Sequence, residues 1–492
     1  MGKILLTHSY SLAFDPKQER IGQPWLPLGT LYAASVLKEN GNDIHFYDPM
    51  FAKSINEFVP VLERESPSIL IIYDDGFSYL SKMCLSNMRE LAFFMIKAGR
   101  SFNTTIIVCS SDANDNYSLY IDRGADFIIM GEGENTLTEL VNRLSVENSR
   151  HFDDIKGIAW KKNGKTVLNE PRELIPNPDR LPFPAWELAD IERYRTTWKK
   201  KNGYFTLNLV TTRGCPYHCI WCAKPVYGNH YNSRTPRNVA EEMEFLMKNY
   251  APDRFWFADD IFGLKPGWIN EFSNELKMRE LNIPFTIQSR VDLLLNKDLV
   301  TSLGMAGCKK IWLGIESGSQ KILDAMQKEI TVEQMYQVSP MIKAAGIDQA
   351  FFIQLGFPGE TFDDINKTIR VLTDLMPEDI GISVTYPLPG TIFYETVKNK
   401  LRIKTNWKDS DDTDSLIPEN FPAGFYKALH HYVHKHYRSR QAGYYLTSLL
   451  KKQVKMNYHI VRSILLFPYY FISSRFYKIL LINKDHAAKE LI

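Results

Sequence analysis

Short apolar runs rich in β-branched residues alternate with amphipathic segments along the first 145 residues. The runs with strand character are Lys3–Thr7, Asp43–Tyr47, Ser68–Tyr73, Thr105–Cys109 and Asp126–Met130. Between them, residues 29–40, 55–64 and 85–98 repeat apolar residues at the spacing of a helix face. This alternation predicts a doubly wound parallel α/β domain over residues 1–145, with its ligand site at the carboxyl ends of the strands.

Residues 146–202 lose this alternation and are rich in Pro, Asn, Asp and Gly. The stretch Lys161–Lys165 contains Asn-Gly, which is typical of the turn of a β-hairpin. We expect residues 146–202 to be a linker that lies across a surface.

The alternation resumes with a longer period over residues 203–400. Its candidate strands are Phe205–Thr211, Arg254–Ala258, Phe285–Gln288, Lys310–Ile315, Gln349–Gln354 and Gly381–Thr385. Each is followed by sequence of helical character, so we expect a partial (β/α) barrel of TIM type with its functional residues at strand ends. Residues 401–492 then become helical, basic and aromatic.

Composition and charge exclude a disordered chain and a single small module. The 492 residues are 44% hydrophobic and 24% charged, enough for several packed cores. The N-terminal residues enter the first predicted strand directly, and the longest apolar run, Ile464–Ile472, has nine residues where a membrane span needs ~20. We therefore expect a cytoplasmic protein without a membrane-spanning segment.

Three of the six cysteines, Cys215, Cys219 and Cys222, lie within eight residues in the pattern C-x3-C-x2-C, directly after the first predicted barrel strand. Three thiolates on one short loop can hold three irons of a 4Fe–4S cluster and leave the fourth iron open to another ligand. Two other interpretations remain: a zinc site completed by His218 or His230, or buried cysteines that share no ligand.

Further features extend the pattern around these cysteines. Trp221 directly precedes the third cysteine, and short polar segments follow later strands. These segments contain Ala258-Asp259-Asp260, Arg290, Glu316 and Gly356. Taken alone, Glu316 also fits a helix-start carboxylate and Gly356 an ordinary turn. As an ordered set at strand ends, they closely resemble the radical S-adenosylmethionine family.

That resemblance implies a cofactor set and a reaction type. In the family the open iron chelates the amino and carboxylate groups of S-adenosylmethionine, the aromatic residue packs on the adenine, and the segment at 258–260 binds the methionine amino group. A reduced cluster then cleaves the cofactor to a 5′-deoxyadenosyl radical, which abstracts hydrogen from an unactivated carbon. Cofactor binding by Trp221, Ala258, Asp259, Asp260, Arg290, Glu316 and Gly356 is implied, as is a reductant such as flavodoxin or ferredoxin.

A Rossmann-like domain before such a barrel resembles the cobalamin-binding subgroup of this family. The stretches that carry the likeness are Pro27-Leu-Gly29 at a helix start and Gly131-Glu132-Gly133 after the fifth strand. After the fourth strand, where the family often has Gly-Gly-x-His, this chain departs and has Ser110-Ser111, small residues that still let a bulky ring approach the backbone. The Asp-x-His-x-x-Gly signature of an axial histidine is absent, and His8 and His45 stand in other contexts. The resemblance implies cobalamin; the alternative is a domain that keeps the fold without this cofactor or uses its crevice for substrate.

The C-terminal region leaves three interpretations open. Residues 421–492 hold 12 Lys and Arg against 2 Asp and Glu, together with 14 Phe and Tyr. Such a segment fits a helical cap on the barrel, a surface that contacts an anionic membrane or a lipid-like substrate, or a grip on nucleic acid. No recognisable RNA-binding module accompanies it, so nucleic acid is the least favoured. His430, His431, His434 and His436 form a candidate metal set, but a solvated helix face explains them better.

The leading hypothesis is therefore a radical enzyme that uses cobalamin to methylate an unactivated carbon of a small-molecule or lipid-like substrate. The second is an oxidative cyclisation or rearrangement of the type catalysed by the anaerobic magnesium-protoporphyrin monomethyl ester cyclase, to which the chain is also similar. A zinc-stabilised binding protein without catalytic activity is the third.

Overall fold

The computed structural model describes residues 2–145, 151–222, 226–401, 404, 406–412, 415–417, 421–422, 424–452 and 456–491. By its internal contacts the chain divides into two units. The first unit contains residues 1–217, 223–287 and 406–412, and the second contains residues 218–222, 288–405 and 413–492.

The first unit begins with a seven-stranded sheet in the order β2-β1-β3-β4-β5-β6-β7. Its strands are β1 Ile4–Thr7, β2 Ile44–Tyr47, β3 Ile69–Tyr73, β4 Thr105–Cys109, β5 Phe127–Ile129, β6 Ile158–Lys162 and β7 Lys165–Leu168. The helices along this part of the chain are α1 Pro16–Ile21, α2 Leu28–Glu39, α3 Phe58–Glu65, α4 Leu80–Met83, α5 Leu85–Ser101, α6 Ser111–Asp115, α7 Tyr117–Asp122 and α8 Glu134–Ser145. Strands β1 to β5 are parallel, which confirms the doubly wound domain.

The side chains of β3 show that the first sheet is covered on both faces. Ile69 and Ile71 belong to one buried cluster together with Leu137 of α8, whereas Leu70 belongs to the other together with Leu91 of α5. Side chains alternate across a strand, so two clusters mean that both faces of the sheet are covered by helices. The strand order reverses between β1 and β3, which is where a doubly wound sheet opens its ligand crevice.

Residues 151–202, in the segment that we expected to be a linker, contain two strands and a helix. The predicted Asn-Gly turn joins β6 and β7, and these two antiparallel strands extend the first sheet. Helix α9 (Ile191–Asn202) follows, and Trp186 and Trp198 are buried. Buried indoles on both sides of the start of α9 fix this segment to the first unit.

The second sheet has six strands in the described part of the chain, in the order β15-β14-β13-β12-β11-β8. With the short ribbon strands between them, the set is β8 Thr206–Leu209, β9 Thr212–Arg213, β10 Asn232–Ser233, β11 Arg254–Phe257, β12 Phe285–Ser289, β13 Cys308–Glu316, β14 Asp348–Leu355 and β15 Asp379–Val384. The helices of this region are α10 Pro236–Tyr250, α11 Trp268–Met278, α12 Lys297–Met305, α13 Gln320–Ala325, α14 Val332–Ala344, α15 Phe362–Leu375 and α16 Ile392–Val397. All six predicted strands are present, and the partial barrel is confirmed.

Three helices form the C-terminal region of the second unit: α17 Phe425–Leu450, α18 Tyr458–Leu465 and α19 Phe467–Lys484. Helix α17 packs beside β15, where Tyr437 donates a hydrogen bond to the Pro377 carbonyl and Arg438 pairs with Asp379. On the same helix His436 is largely buried, which lowers its pKa to about 4. Among the described helices none is by itself long and apolar enough to cross a membrane, whereas α18 and α19 meet that test as a pair bent by 51°.

Candidate active site

The three predicted cluster cysteines lie on the loop of a small ribbon. Strands β9 and β10 pair in antiparallel fashion just beyond β8, and the cysteines lie between them. Cys215 is buried, while Cys219 and Cys222 are half-buried. Gly214 closes the base of the loop with φ +82°, and a Cβ there would lie 2.3 Å from the His230 carbonyl oxygen. Only glycine fits this conformation and this approach.

Asp259, at the end of β11, fixes the backbone that leads to this loop. Its carboxylate accepts hydrogen bonds from the Thr211 amide and hydroxyl, each at 2.6 Å, and from the Thr212 amide at 2.9 Å. Burial raises the pKa of Asp259 to about 6, against the opposing effect of these donors. Of its predicted partners, Ala258 is half-buried and Asp260 is exposed. Asp259 therefore acts here as a positioning residue for the cysteine loop.

In the second unit two cations lie beside Cys219. The Nη1 atom of Arg290 is 3.9 Å from the Cys219 sulfur, and its Nη2 donates to the Lys328 carbonyl at 2.8 Å. Lys328 itself donates from Nζ to Glu316 Oε1 at 3.0 Å. Arg290 also pairs with Asp292, through Nε at 2.9 Å, so each of the two cations near the cysteine loop has a carboxylate partner.

Glu316 is held in an unusual backbone conformation. Its φ is +61°, and the register of β13 against β14 shifts between Gly314 and Glu316. A Cβ on Gly314 would lie 2.7 Å from Lys328 Nζ and 2.9 Å from Glu316 Oε1, so the glycine makes room for the ion pair. A non-glycine residue in the left-handed region costs ~1–3 kcal/mol and is characteristic of ligand sites.

The indole of Trp221 completes this group of side chains. Trp221 is half-buried against an apolar cluster that includes Met326 and Phe393, and Lys328 Nζ lies 5.9 Å from its ring centroid. Its N–H is buried and donates to none of the described residues. A buried donor without an acceptor is uncommon in a folded protein, so this one indicates a place for a bound group.

The described residues contain no set of three His, Cys, Asp or Glu side chains arranged around one metal ion. Three cysteines on one loop can hold three irons of a 4Fe–4S cluster and leave the fourth iron open. With Arg290 beside Cys219 and the unpaired indole donor of Trp221, this donor set fits a cluster with bound S-adenosylmethionine.

The segment at Gly356 contains a carboxyl group whose importance the sequence analysis missed. Gly356 has φ +84°, and its amide donates to Glu360 Oε2 at 2.7 Å. Burial raises the pKa of Glu360 to about 8, and its Oε1 is buried without a hydrogen-bond partner among the described residues. A glutamate in a Gly-rich turn gives no sequence signal of burial, which is why the motif suggested Gly356 alone.

A second cleft lies at the carboxyl ends of β1 and β3, where the strand order of the first sheet reverses. The cleft is open to solvent, and its walls include Pro27, His8 and Asp75. Asp75 accepts from the Gly29 amide at 3.1 Å, and burial raises its pKa to about 6. His8 contacts Asp48 through Nε2 at 3.0 Å and accepts from the Tyr10 amide through Nδ1, so both of its nitrogens are engaged.

The other predicted residues of this domain lie in the loops after β4 and β5. Ser110 caps α6 by accepting from the Ala113 amide, and Ser111 is half-buried. Gly131 has φ +78° with open space where a side chain would be, whereas a Cβ on Gly133 would lie 2.6 Å from the Tyr73 hydroxyl oxygen. Gly131 can therefore admit a ligand, and Gly133 serves close packing.

Glu132 forms a buried ion pair with Arg213, a residue that the sequence analysis did not single out. Arg213, two residues before Cys215, forms ion pairs with Glu132 and, at 2.7 Å, with Glu134. Its guanidinium also lies 5.3 Å from the ring centroid of Tyr32 and 5.5 Å from that of Tyr227. The loop after β5 is thus joined to the start of the cysteine loop through a buried Arg–Glu–Glu group.

A partial barrel with a three-cysteine loop beyond its first strand, and with cations and a strained carboxylate at later strand ends, defines an enzyme of the iron–sulfur radical class. Comparison with known proteins gives a family match to this part of the chain. Residues 209–372 match the model of the Radical SAM superfamily.

The chain is also similar to curated relatives and to solved structures. It is 27% identical over 412 residues to an uncharacterized methyltransferase of Pyrococcus horikoshii, covering 81% of this chain and 84% of the relative. It is 29% identical over 310 residues to the anaerobic magnesium-protoporphyrin IX monomethyl ester cyclase of Rubrivivax gelatinosus, covering 61% of this chain and 54% of the relative. The fold matches the cobalamin-dependent S-adenosylmethionine radical enzyme OxsB with a TM-score of 0.74 at 18% identity, over 99% of this chain and 74% of OxsB.

Proposed function

We propose that this chain is a cobalamin-dependent radical S-adenosylmethionine methyltransferase that acts on an unactivated carbon of a small-molecule or lipid-like substrate. The observation that carries the proposal is the group around Cys219, where Arg290, Lys328 and the unpaired indole N–H of Trp221 meet. The methyltransferase comparison supports the choice of reaction, and the fold shared with OxsB, a cobalamin-dependent S-adenosylmethionine radical enzyme, supports the choice of cofactors.

Each side chain of the site has a physical task in this proposal. The three thiolates would hold the cluster, and Arg290 would lower the energy of its negative charge. Trp221 would pack on the adenine, and Glu316, held by Lys328, would accept hydrogen bonds from the bound S-adenosylmethionine. When bound, the cluster and S-adenosylmethionine supply a carbon-centred radical, and cobalamin supplies the methyl group.

Cobalamin would occupy the crevice at the β1–β3 strand ends, next to Pro27 and the loop at Gly131. His8 is the histidine in the wall of this cleft, and both of its nitrogens are already engaged. We therefore propose that His8 does not ligate cobalt. A His8→Ala protein should bind cobalamin with an unchanged visible spectrum.

The test is anaerobic reconstitution followed by product analysis. Iron, sulfide and cobalamin should all bind, and turnover should form S-adenosylhomocysteine together with 5′-deoxyadenosine. A Cys219→Ala protein should stay folded and fail to cleave S-adenosylmethionine, whereas Cys308→Ala, a buried cysteine outside the loop, should cleave it normally. Formation of 5′-deoxyadenosine without S-adenosylhomocysteine would exclude methyl transfer.

The similarity to the cyclase of Rubrivivax gelatinosus supports a second candidate, an oxidative cyclisation or rearrangement. This reaction would release a product without an added CH₂ unit, so the product mass separates it from methylation. Either reaction needs electrons, and flavodoxin or ferredoxin is the proposed donor. A zinc-stabilised binding protein would instead give colourless protein without iron.

A further inference from the structure

We infer that α18 and α19 form a docking surface for an anionic lipid membrane. The inference rests on an exposed apolar stripe and on the charge around it, and it does not depend on which reaction the enzyme catalyses. The stripe consists of Leu465, Tyr469, Ile472, Phe476 and Ile479. Tyr469, Ile472, Phe476 and Ile479 follow one another at steps of three or four and so lie on one side of α19, and Leu465 is the last residue of α18. Each of the five is between 53% and 73% exposed.

The other side of helix α19 packs against α17 and buries Leu481 and Ser474. The stripe lies on the side that no other described residue buries. Large apolar side chains that stay exposed in this way favour an apolar partner from outside the chain.

The exposed apolar surface continues onto α18 and the end of α17. Tyr458 and Val461 of α18 are exposed, as are Leu446 and Leu450 of α17, whereas Ile460 is buried. Exposed apolar side chains in this number on neighbouring helices are typical of an interaction site. Aromatic rings with a polar edge, such as Tyr458 and Tyr469, favour the interface between headgroups and acyl chains.

The positive charge around α18 and α19 favours an anionic membrane as the partner of this surface. Residues 421–484 contain 11 Lys and Arg and neither Asp nor Glu. Arg462, Arg475 and Lys484 are exposed on α18 and α19 beside the stripe. Each suitably placed cation is attracted to anionic headgroups, and the apolar stripe enters the acyl boundary as an interfacial helix does. A second copy of the chain would bring the same cations into contact with these, and a nucleic acid would leave the aliphatic side chains exposed.

The experiment uses the reconstituted full-length chain and vesicles of two compositions: phosphatidylcholine alone, and phosphatidylcholine with about one third phosphatidylglycerol. Co-sedimentation should show at least a tenfold preference for the anionic vesicles, and that preference should fall with added salt. The triple variant Ile472→Ser, Phe476→Ser and Ile479→Ser should lose at least tenfold in partitioning. Arg462→Gln with Arg475→Gln should weaken binding to the anionic vesicles only.

A matched control replaces three exposed apolar residues elsewhere. Met278→Ser, Met305→Ser and Ile392→Ser remove comparable exposed apolar side chains outside the C-terminal helices and should leave vesicle binding unchanged. Circular dichroism and cluster absorbance should match the unaltered protein for every variant. If the unaltered chain ignores both vesicles, the inference is wrong. It is equally overturned if the triple variant converts a dimer to a monomer without changing lipid binding, or if RNA binds and vesicles do not.

Discussion

Arg213 shows how much a single buried charge contributes to this site. Its guanidinium is 4% exposed and lies between the carboxylates of Glu132 and Glu134. Two carboxylates so close together repel each other unless the cation stays between them. The ion pairs therefore hold the loop after β5 and the chain before Cys215 in one arrangement.

Arg213→Gln should destabilise the first unit by about 3–5 kcal/mol, because it leaves two buried carboxylates without a cation. We expect a lower apparent unfolding midpoint in urea and less iron per chain after anaerobic reconstitution. Arg237→Gln is the control, since that arginine pairs with Glu241 on the surface and its loss should change neither quantity. Equal iron content and equal midpoints for Arg213→Gln and the unaltered protein would show that the group has no positioning role.

Glu360 should make stability depend on pH. Burial raises its pKa from 4.5 to about 8. Between those values the folded chain retains a proton that the unfolded chain has lost, so this contribution to the free energy of unfolding is complete below about pH 4.5 and is lost as the pH rises through about 8. Glu360→Gln keeps the shape without titrating. Between about pH 5 and about pH 9 the apparent free energy of urea unfolding should fall more in the unaltered chain than in the variant, by a total on the order of a few kcal/mol. An equal pH dependence of the two proteins would contradict the buried carboxyl.

At the scale of elements, periodicity predicted most of the scaffold. The strands at 69–73 and 105–109 are continuous apolar runs because parallel strands are buried on both faces, and such runs stand out in a sequence. The hairpin turn before Lys165 was predicted from its Asn-Gly, but the sequence could not show that its strands join the first sheet. Strand pairing between distant segments depends on packing that local pattern does not encode.

The ribbon that carries the cysteines depends on one glycine. Gly214→Ala places a methyl group 2.3 Å from the His230 carbonyl oxygen in addition to the strain of φ +82°, so β9 and β10 cannot close. We expect iron per chain to fall at least fivefold after reconstitution. The control is Gly228→Ala in the same loop. Gly228 also has a positive φ, +59°, but a Cβ added there would lie 3.9 Å from its nearest neighbour, a ring carbon of His230. This variant therefore measures the cost of backbone conformation without the close contact. If both variants bind equal iron, the close approach at Gly214 is unimportant.

At the scale of the whole molecule, a short segment that follows the barrel in sequence packs against the N-terminal part of the chain. Residues 406–412 belong to the first unit, although the sequence placed them in a C-terminal region starting at 401. Ser410 donates to Asp15 at 2.7 Å, and the Ser86 amide donates to the Trp407 carbonyl at 3.2 Å. A short polar segment with one tryptophan has no periodicity, so no pattern in the sequence could predict where it packs.

Trp407 should anchor this returning segment, because its side chain is 3% exposed in a stretch that is otherwise polar. Trp407→Ala removes a large buried side chain, which typically costs ~3–5 kcal/mol. Since the chain has two units and need not unfold in one step, the measurement is hydrogen exchange by mass spectrometry rather than a single midpoint. Exchange should rise in α1 and at the start of α5 and stay unchanged in α14, while Trp407→Phe should restore most of the protection. A uniform rise across both units would instead mean that Trp407 supports the entire fold and not this junction.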